Sequence, residues 1–337
     1  MSFGAVNEMK SELKKLLWRR ESLILLFLLV GYLIFFTARI DKGGTYTNTD
    51  FAMQKFEAHQ HEMVSTVITL RNRAKAAPTE YIRADFEKAY ESYNVRYEFE
   101  PFDTIAVESG LTLCFLREVN IVFLLLIVSV LSPVIVRDHE CGMYQLLYTT
   151  KSGRSGLFKK KLSAAFVLVS LIAIAYTAAV FICIWQKRGL SYSALSAPVQ
   201  SLEMFYYCPF SLSIMDYLLL LCLVRILAAM LIIGLIFLLS YAVKNSFAVM
   251  GCSAIFATGL YYIPIIFTGT EHTLSRLGLF CLLDLNGYLS SYNTVNVFGA
   301  PVFSFVLTLL FTLLIGASII SLAYNIFCRE RRSHNAA

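Results

Sequence analysis

Arg225 lies in the middle of an apolar run spanning 214–243. A charge at bilayer depth costs roughly 2.5–3.5 kcal/mol on insertion scales, so this guanidinium should face protein or water and have a partner. Asp216 is nine residues earlier in the same run. That is about 13 Å along a helix, too far for direct contact. Two roles fit Arg225: a charge lining or gating a passage and attracting acidic groups, or a structural hydrogen-bond donor to a neighbouring helix. Other chemistry is thin. The chain has no GxxxxGK[ST] phosphate loop, no HExxH and no GxSxG. A membrane-embedded enzyme would need His, Asp, Glu or Ser converging near one membrane face, and the apolar runs hold very few. His59 and His61 are two residues apart, which places them on different faces of a helix and argues against a shared metal. The eight cysteines show no CxxC spacing and mostly lie in or beside apolar runs, where a free thiol behaves as a small hydrophobe. A Cys208–Cys281 bridge between two expected outside loops is one further option.

These residues must be positioned by elements that a bilayer selects. The chain is 57% hydrophobic and 15% charged, with a mean hydropathy of +0.64. A soluble domain carries more charge and lacks such long uncharged runs. A hydrocarbon core of roughly 30 Å asks for about 20 apolar residues per helix. Six segments meet that demand: 22–38, 119–136, 162–185, 214–243, 246–267 (with Pro264) and 302–327. The fold class expected is therefore an all-α polytopic membrane protein with six transmembrane helices. The first segment reads as a span and not as a cleaved signal, because five further spans follow and the cleavage pattern after Phe36 is poor.

The polar segments divide by length. Residues 1–21 carry Lys10, Lys14, Lys15, Arg19 and Arg20, with Met9, Leu13, Leu16 and Leu17 at helical spacing. They read either as an amphipathic helix on the membrane surface or as the ordinary positive flank of the first span. Residues 39–118 carry both charge signs. A helix over 50–76, a break at Pro78 and Thr79, and a second helix over 80–93 with Ile82, Phe86, Ala89 and Tyr93 on one stripe predict a small helical hairpin domain. Arg117 and Glu118 then serve as interfacial anchors, and Tyr206, Tyr207 and Phe210 fit an aromatic belt.

Orientation follows from the basic residues near span ends. With the N-terminus inside, the inside segments hold five basic residues in 1–21, six in 137–161, one at Lys244 and three in the 328–337 tail. The short outside loops hold only Lys187, Arg188 and Arg276. The long 39–118 segment is excluded, because long loops cross largely regardless of charge. The expected topology is N-in and C-in, with 39–118 outside. The net charge of +6 is thereby explained by topology and calls for no nucleic acid.

The stretch RDHECGMYQLLYTTKSGRSGLFKKKL, from Arg137 to Leu162, is too polar to span. It reads as a short helix and a turn freed by Gly153 and Gly156. Such a segment either docks in a groove of a cytosolic partner or is a plain basic loop holding topology. Glu140, Gly142, Leu146, Leu147, Thr150, Arg154 and Lys160 follow one another here in an order that resembles the permease subunits of ABC-2-type (type V) exporters. The resemblance extends to the basic N-terminal segment, the six spans and the tail.

It implies a transmembrane permease without enzymatic activity of its own, with ATP and Mg bound by a separate ABC-type ATPase subunit. It implies that Glu140 to Arg154 form the coupling helix seated on that ATPase, and that residues 3–20 form an elbow helix. It further implies that a second permease chain, identical or paralogous, completes the path. Residues 268–301 would hold short re-entrant helices, which the apolar but interrupted LSRLGLFCLLDLNGYL fits. The segment of about 75 residues between the first two spans exceeds the short loop of many members of that family. A bacterial plasma membrane is the expected location. The expected cargo is amphipathic, an antimicrobial or signalling peptide first, then lipid or cell-wall precursor, then small drugs or ions. A rival reading is a membrane sensor or immunity protein that binds an extracellular peptide through 39–118 without transport.

Overall fold

The computed structural model describes residues 20–39, 49–94, 117–140, 153–188, 193–202, 205, 207–243, 245–267 and 285–329. The described chain is mostly helical. Its long helices are α1 (Arg20–Arg39), α2 (Thr49–Lys75), α3 (Glu80–Asn94), α4 (Arg117–Glu140), α5 (Gly153–Arg188), α6 (Ile214–Ala242), α7 (Ser246–Phe267) and α8 (Ser304–Arg329). Each of the six apolar segments read from the sequence falls on one of these. Among the described residues, Ser155–Lys187, Ile214–Ala242 and Ser304–Cys328 are long and apolar enough to cross a membrane. At 33, 29 and 25 residues they extend about 50, 44 and 38 Å, beyond a hydrocarbon core of roughly 30 Å. This is a helical, membrane-embedded protein.

Boundaries differ most around the connector between α4 and α5. The sequence predicts a span over 119–136 and another from 162. The structure keeps Arg137 to Glu140 helical at the end of α4 and starts α5 at Gly153. Lys159, Lys160 and Lys161 therefore sit on a helix and not in a loop. Polar residues with good helix propensity simply extend a helix beyond the apolar run that identifies it. The elbow segment 1–19, residues 141–152 of the connector, 95–116 of the outer segment, 268–284 and the tail from 330 lie outside the described residues.

α6 is the central helix. It packs against α4, α5, α7 and α8, while α4 also packs against α7, and α1 against α4 and α5. Two glycines set the closest approach. A Cβ on Gly234 of α6 would lie 2.7 Å from Ile319 Cγ2 of α8, and one on Gly316 of α8 would lie 3.4 Å from Leu231 Cδ2 of α6. Small residues at such crossings let dispersion contacts form where lipid leaves no hydrophobic drive between helices. At one end of the bundle, Phe158 near the start of α5 meets Phe237 (4.8 Å), Tyr324 (5.5 Å) and Phe327 (5.4 Å) of α6 and α8. Ser155 Oγ and Tyr324 OH are 2.8 Å apart there. The start of α5 and the ends of α6 and α8 thus share one end. At the other, Tyr217 OH donates to Asn286 Oδ1 at 2.7 Å, beneath Phe205.

The helical pair predicted at 50–76 and 80–93 is present as α2 and α3, which pack on each other. Thr79 caps the second helix, its Oγ1 accepting from Ile82 N at 3.3 Å. The segment between α7 and α8 adds one short strand pair to this mostly helical chain. Its described part holds a one-turn helix, Leu285–Leu289, and then an antiparallel pair, β1 (Thr294–Val297) and β2 (Ala300–Phe303), in register Thr294↔Phe303. Of the stretch expected to hold re-entrant helices, Leu285–Leu289 is helical and 268–284 lie outside the described residues. Both turn residues take left-handed backbone, Phe298 at φ 51° and Gly299 at φ 91°. That sign at both central positions twists a two-residue turn to match its strands. Asn296 Oδ1 accepts from Gly299 N at 2.8 Å and braces the turn.

Candidate functional site

The polar centre of the bundle is Arg225, 1% exposed among apolar side chains. Three helices build its surroundings. From α4, Asn120 Oδ1 accepts from Nε at 3.3 Å and from Nη2 at 3.0 Å. From α5, Thr177 Oγ1 accepts from Nη1 at 2.7 Å. Thr177 can accept because its own hydroxyl proton is given to the Ala173 carbonyl, 2.7 Å away on the preceding turn. The guanidinium carbon also lies 5.7 Å from the Phe123 ring and 5.3 Å from the Tyr176 ring. Phe123 is one turn beyond Asn120 on α4, and Tyr176 adjoins Thr177 on α5, so each helix supplies an acceptor and a π face together.

Burying a guanidinium costs several kcal/mol in desolvation. Hydrogen bonds to a charged group return about 1.5–3 kcal/mol each, and desolvated cation–π contacts about 2 kcal/mol. The site is thus a built one, with the charge held by dipoles and aromatic faces. Asp216, judged too distant from the sequence, is occupied elsewhere: Ser213 Oγ donates to its Oδ2 at 2.7 Å, and Asp216 N donates to Ser213 Oγ at 3.1 Å, a reciprocal cap on α6. The sequence reading foresaw a partnered Arg225 but not which partners. Asn120 and Thr177 were legible only as isolated polar residues inside apolar runs, the kind of residue that membrane helices use to hydrogen-bond one another.

The coupling residues are bracketed but not placed. Gly142, Leu146, Leu147 and Thr150 lie outside the described residues, while Glu140 closes α4 and Arg154 falls in the first turn of α5. His61 is exposed on α2. Among the described residues, no group of three His, Cys, Asp or Glu side chains gathers to hold a metal. Cys208 is buried, its Sγ donating to the Phe210 carbonyl at 3.6 Å, and Cys281, the other half of the optional bridge, lies outside the described residues. Phe210, read as part of an aromatic belt, packs on Phe303 at 4.8 Å. Comparison with family models, with curated proteins and with solved structures finds no match for this chain.

Proposed function

We propose that this chain is the transmembrane permease subunit of an ATP-driven ABC exporter. In this reading α1 and α4 to α8 all span a bacterial plasma membrane, both termini are cytosolic, and the α2–α3 unit is extracellular. Two such chains, identical or paralogous, enclose the path. Separate ABC-type ATPase subunits bind ATP and Mg and press on Glu140 to Arg154. The chain makes and breaks no bonds itself, and its cargo is an amphipathic peptide.

One observation supports this most. The start of α5 and the ends of α6 and α8 gather around Phe158 and Tyr324. In this reading the connector, which leads into α5 at Gly153, is the part of this end on which an ATPase docks. Movement of the connector would pass through this aromatic cluster into α6 and α8.

The test is affinity purification of the tagged chain in mild detergent. An ABC-type ATPase is expected at about one per permease, together with cargo-stimulated turnover. Deletion or charge reversal across 140–154 is expected to abolish both association and stimulation. Survival of both would remove the coupling assignment. An Arg225→Leu chain that folds, assembles and exports normally would remove Arg225 from the path.

A second reading, a sensor or immunity protein, draws support from the separateness of the α2–α3 unit. Among the described residues, none of its side chains belongs to the bundle's apolar cluster. A phenotype that persists without any ATPase activity would favour it.

A further inference from the structure

Among the described side chains, the α2–α3 unit buries four apolar residues, Val67, Ala74, Ala89 and Tyr93, and it meets the bundle through directional polar contacts. Tyr292 OH donates toward Asp85, 3.1 Å from both its Oδ1 and its carbonyl oxygen. Thr294 Oγ1 donates to the same Oδ1 at 2.5 Å. Lys88 Nζ donates to the Pro301 carbonyl at 2.6 Å. Tyr93 OH donates to the Tyr207 carbonyl at 3.1 Å and accepts from Tyr292 N at 3.2 Å. A seam of this kind exchanges its hydrogen bonds for water on opening, so each bond contributes little net. Separating α6 from α8 would instead break the close packing at Gly234 and Gly316.

The landing points carry the mechanical content. β2 runs directly into α8, since Phe303 is followed by Ser304. Tyr207 lies six residues before Ser213, the cap of α6. The closed seam therefore holds the outer starts of the two helices that approach each other most closely at Gly234 and Gly316.

We propose that the α2–α3 unit is a detachable cap, latched by Asp85 and Lys88 onto the β1–β2 pair, and that its opening releases the outer starts of α6 and α8 while the bundle core stays folded. Asp85 is the acceptor that gathers β1, and Lys88 holds β2. The device is independent of the exporter reading, because it concerns a seam within one chain.

Hydrogen–deuterium exchange of the full-length protein in lipid nanodiscs tests it. Asp85→Ala/Lys88→Ala is expected to speed exchange about tenfold or more in Glu80–Asn94 and Thr294–Phe303, with α6 around Arg225 unchanged. Asp85→Asn keeps an oxygen acceptor and is expected to exchange like the wild type. Unchanged exchange in the double variant would overturn the latch. So would an equal loss of protection in α6, since those two residues would then support the whole fold and not a separable cap.

Discussion

Arg225 and Asn120 form a pair whose two halves are not equivalent. Removing Asn120 leaves a buried guanidinium stripped of the acceptor for two of its N–H groups, whereas removing Arg225 leaves only neutral groups behind. Breaking a buried charged pair from the side that strands the charge costs about 3–5 kcal/mol, and replacing both partners with apolar groups can be close to neutral. Asn120→Leu is therefore expected to lower thermal stability in detergent well below that of Arg225→Met, and Asn120→Leu/Arg225→Met to recover most of the loss. If Arg225→Met proves the more damaging single change, the charge is not the costly half of the pair. From the sequence, Arg225 was recognisable as a group needing a partner because its cost in lipid does not depend on its neighbours. Asn120 and Thr177 were not recognisable as that partner, because they come from helices 105 and 48 residues away and only packing chooses among such options.

At the level of elements, helix length and apolar content are properties of a single segment, so all six apolar helices and the α2–α3 pair could be read before any packing was known. The β1–β2 hairpin could not. Its strands are four residues each, and its turn carries Phe298 where Asn or Asp ahead of Gly usually signals this geometry. The alternation of Thr294, Val295, Asn296 and Val297 was the available clue. The α6–α8 crossing was equally hidden, since it rests on where two glycines meet. Gly234→Leu would push a side chain against Ile319, whose branched Cβ cannot swing clear. A loss of about 1–3 kcal/mol is expected from such overpacking, and Gly316→Ala, with a nearest contact of 3.4 Å, is expected to be much milder. Thermal unfolding of the two purified variants compares them. Equal midpoints for Gly234→Leu and wild type would mean that the helices do not cross there.

Over the whole molecule, the seam between cap and bundle carries a pH dependence with a definite sign. Burial, and then the Asp85 carboxylate, raise the Tyr292 hydroxyl well above its ordinary value. Burial, and then a hydrogen bond to the Glu62 carboxylate, raise Tyr207. Both phenols are held neutral when docked and titrate near about 10 when free. Their contribution is fully present below that value and is lost as pH rises from it through the docked values. The cap is expected to stay closed at neutral pH and to open progressively above about pH 10, as read by the exchange rate of Glu80–Asn94 after correction for intrinsic base catalysis. Tyr292→Phe/Tyr207→Phe should flatten that rise. Opening near neutrality, or an undiminished rise in the double variant, would assign the transition to other groups. Function is legible only in part for a physical reason: spans and charge bias place a chain in a membrane, while partner and cargo depend on surfaces between chains.

The seam joins residues that are far apart along the chain. Asp85 and Tyr292 are separated by 207 positions. At a synthesis rate of roughly 5–20 residues per second, the helical pair leaves the ribosome about ten to forty seconds before the strands that receive it. During that interval Asp85 and Lys88 on its docking face lack the strands that receive them and bond with water. Its low apolar content suits that wait, since an exposed hydrophobic face would invite aggregation. A chain stopped after α7 should present a folded but undocked helical pair, open to proteases until the last helix arrives.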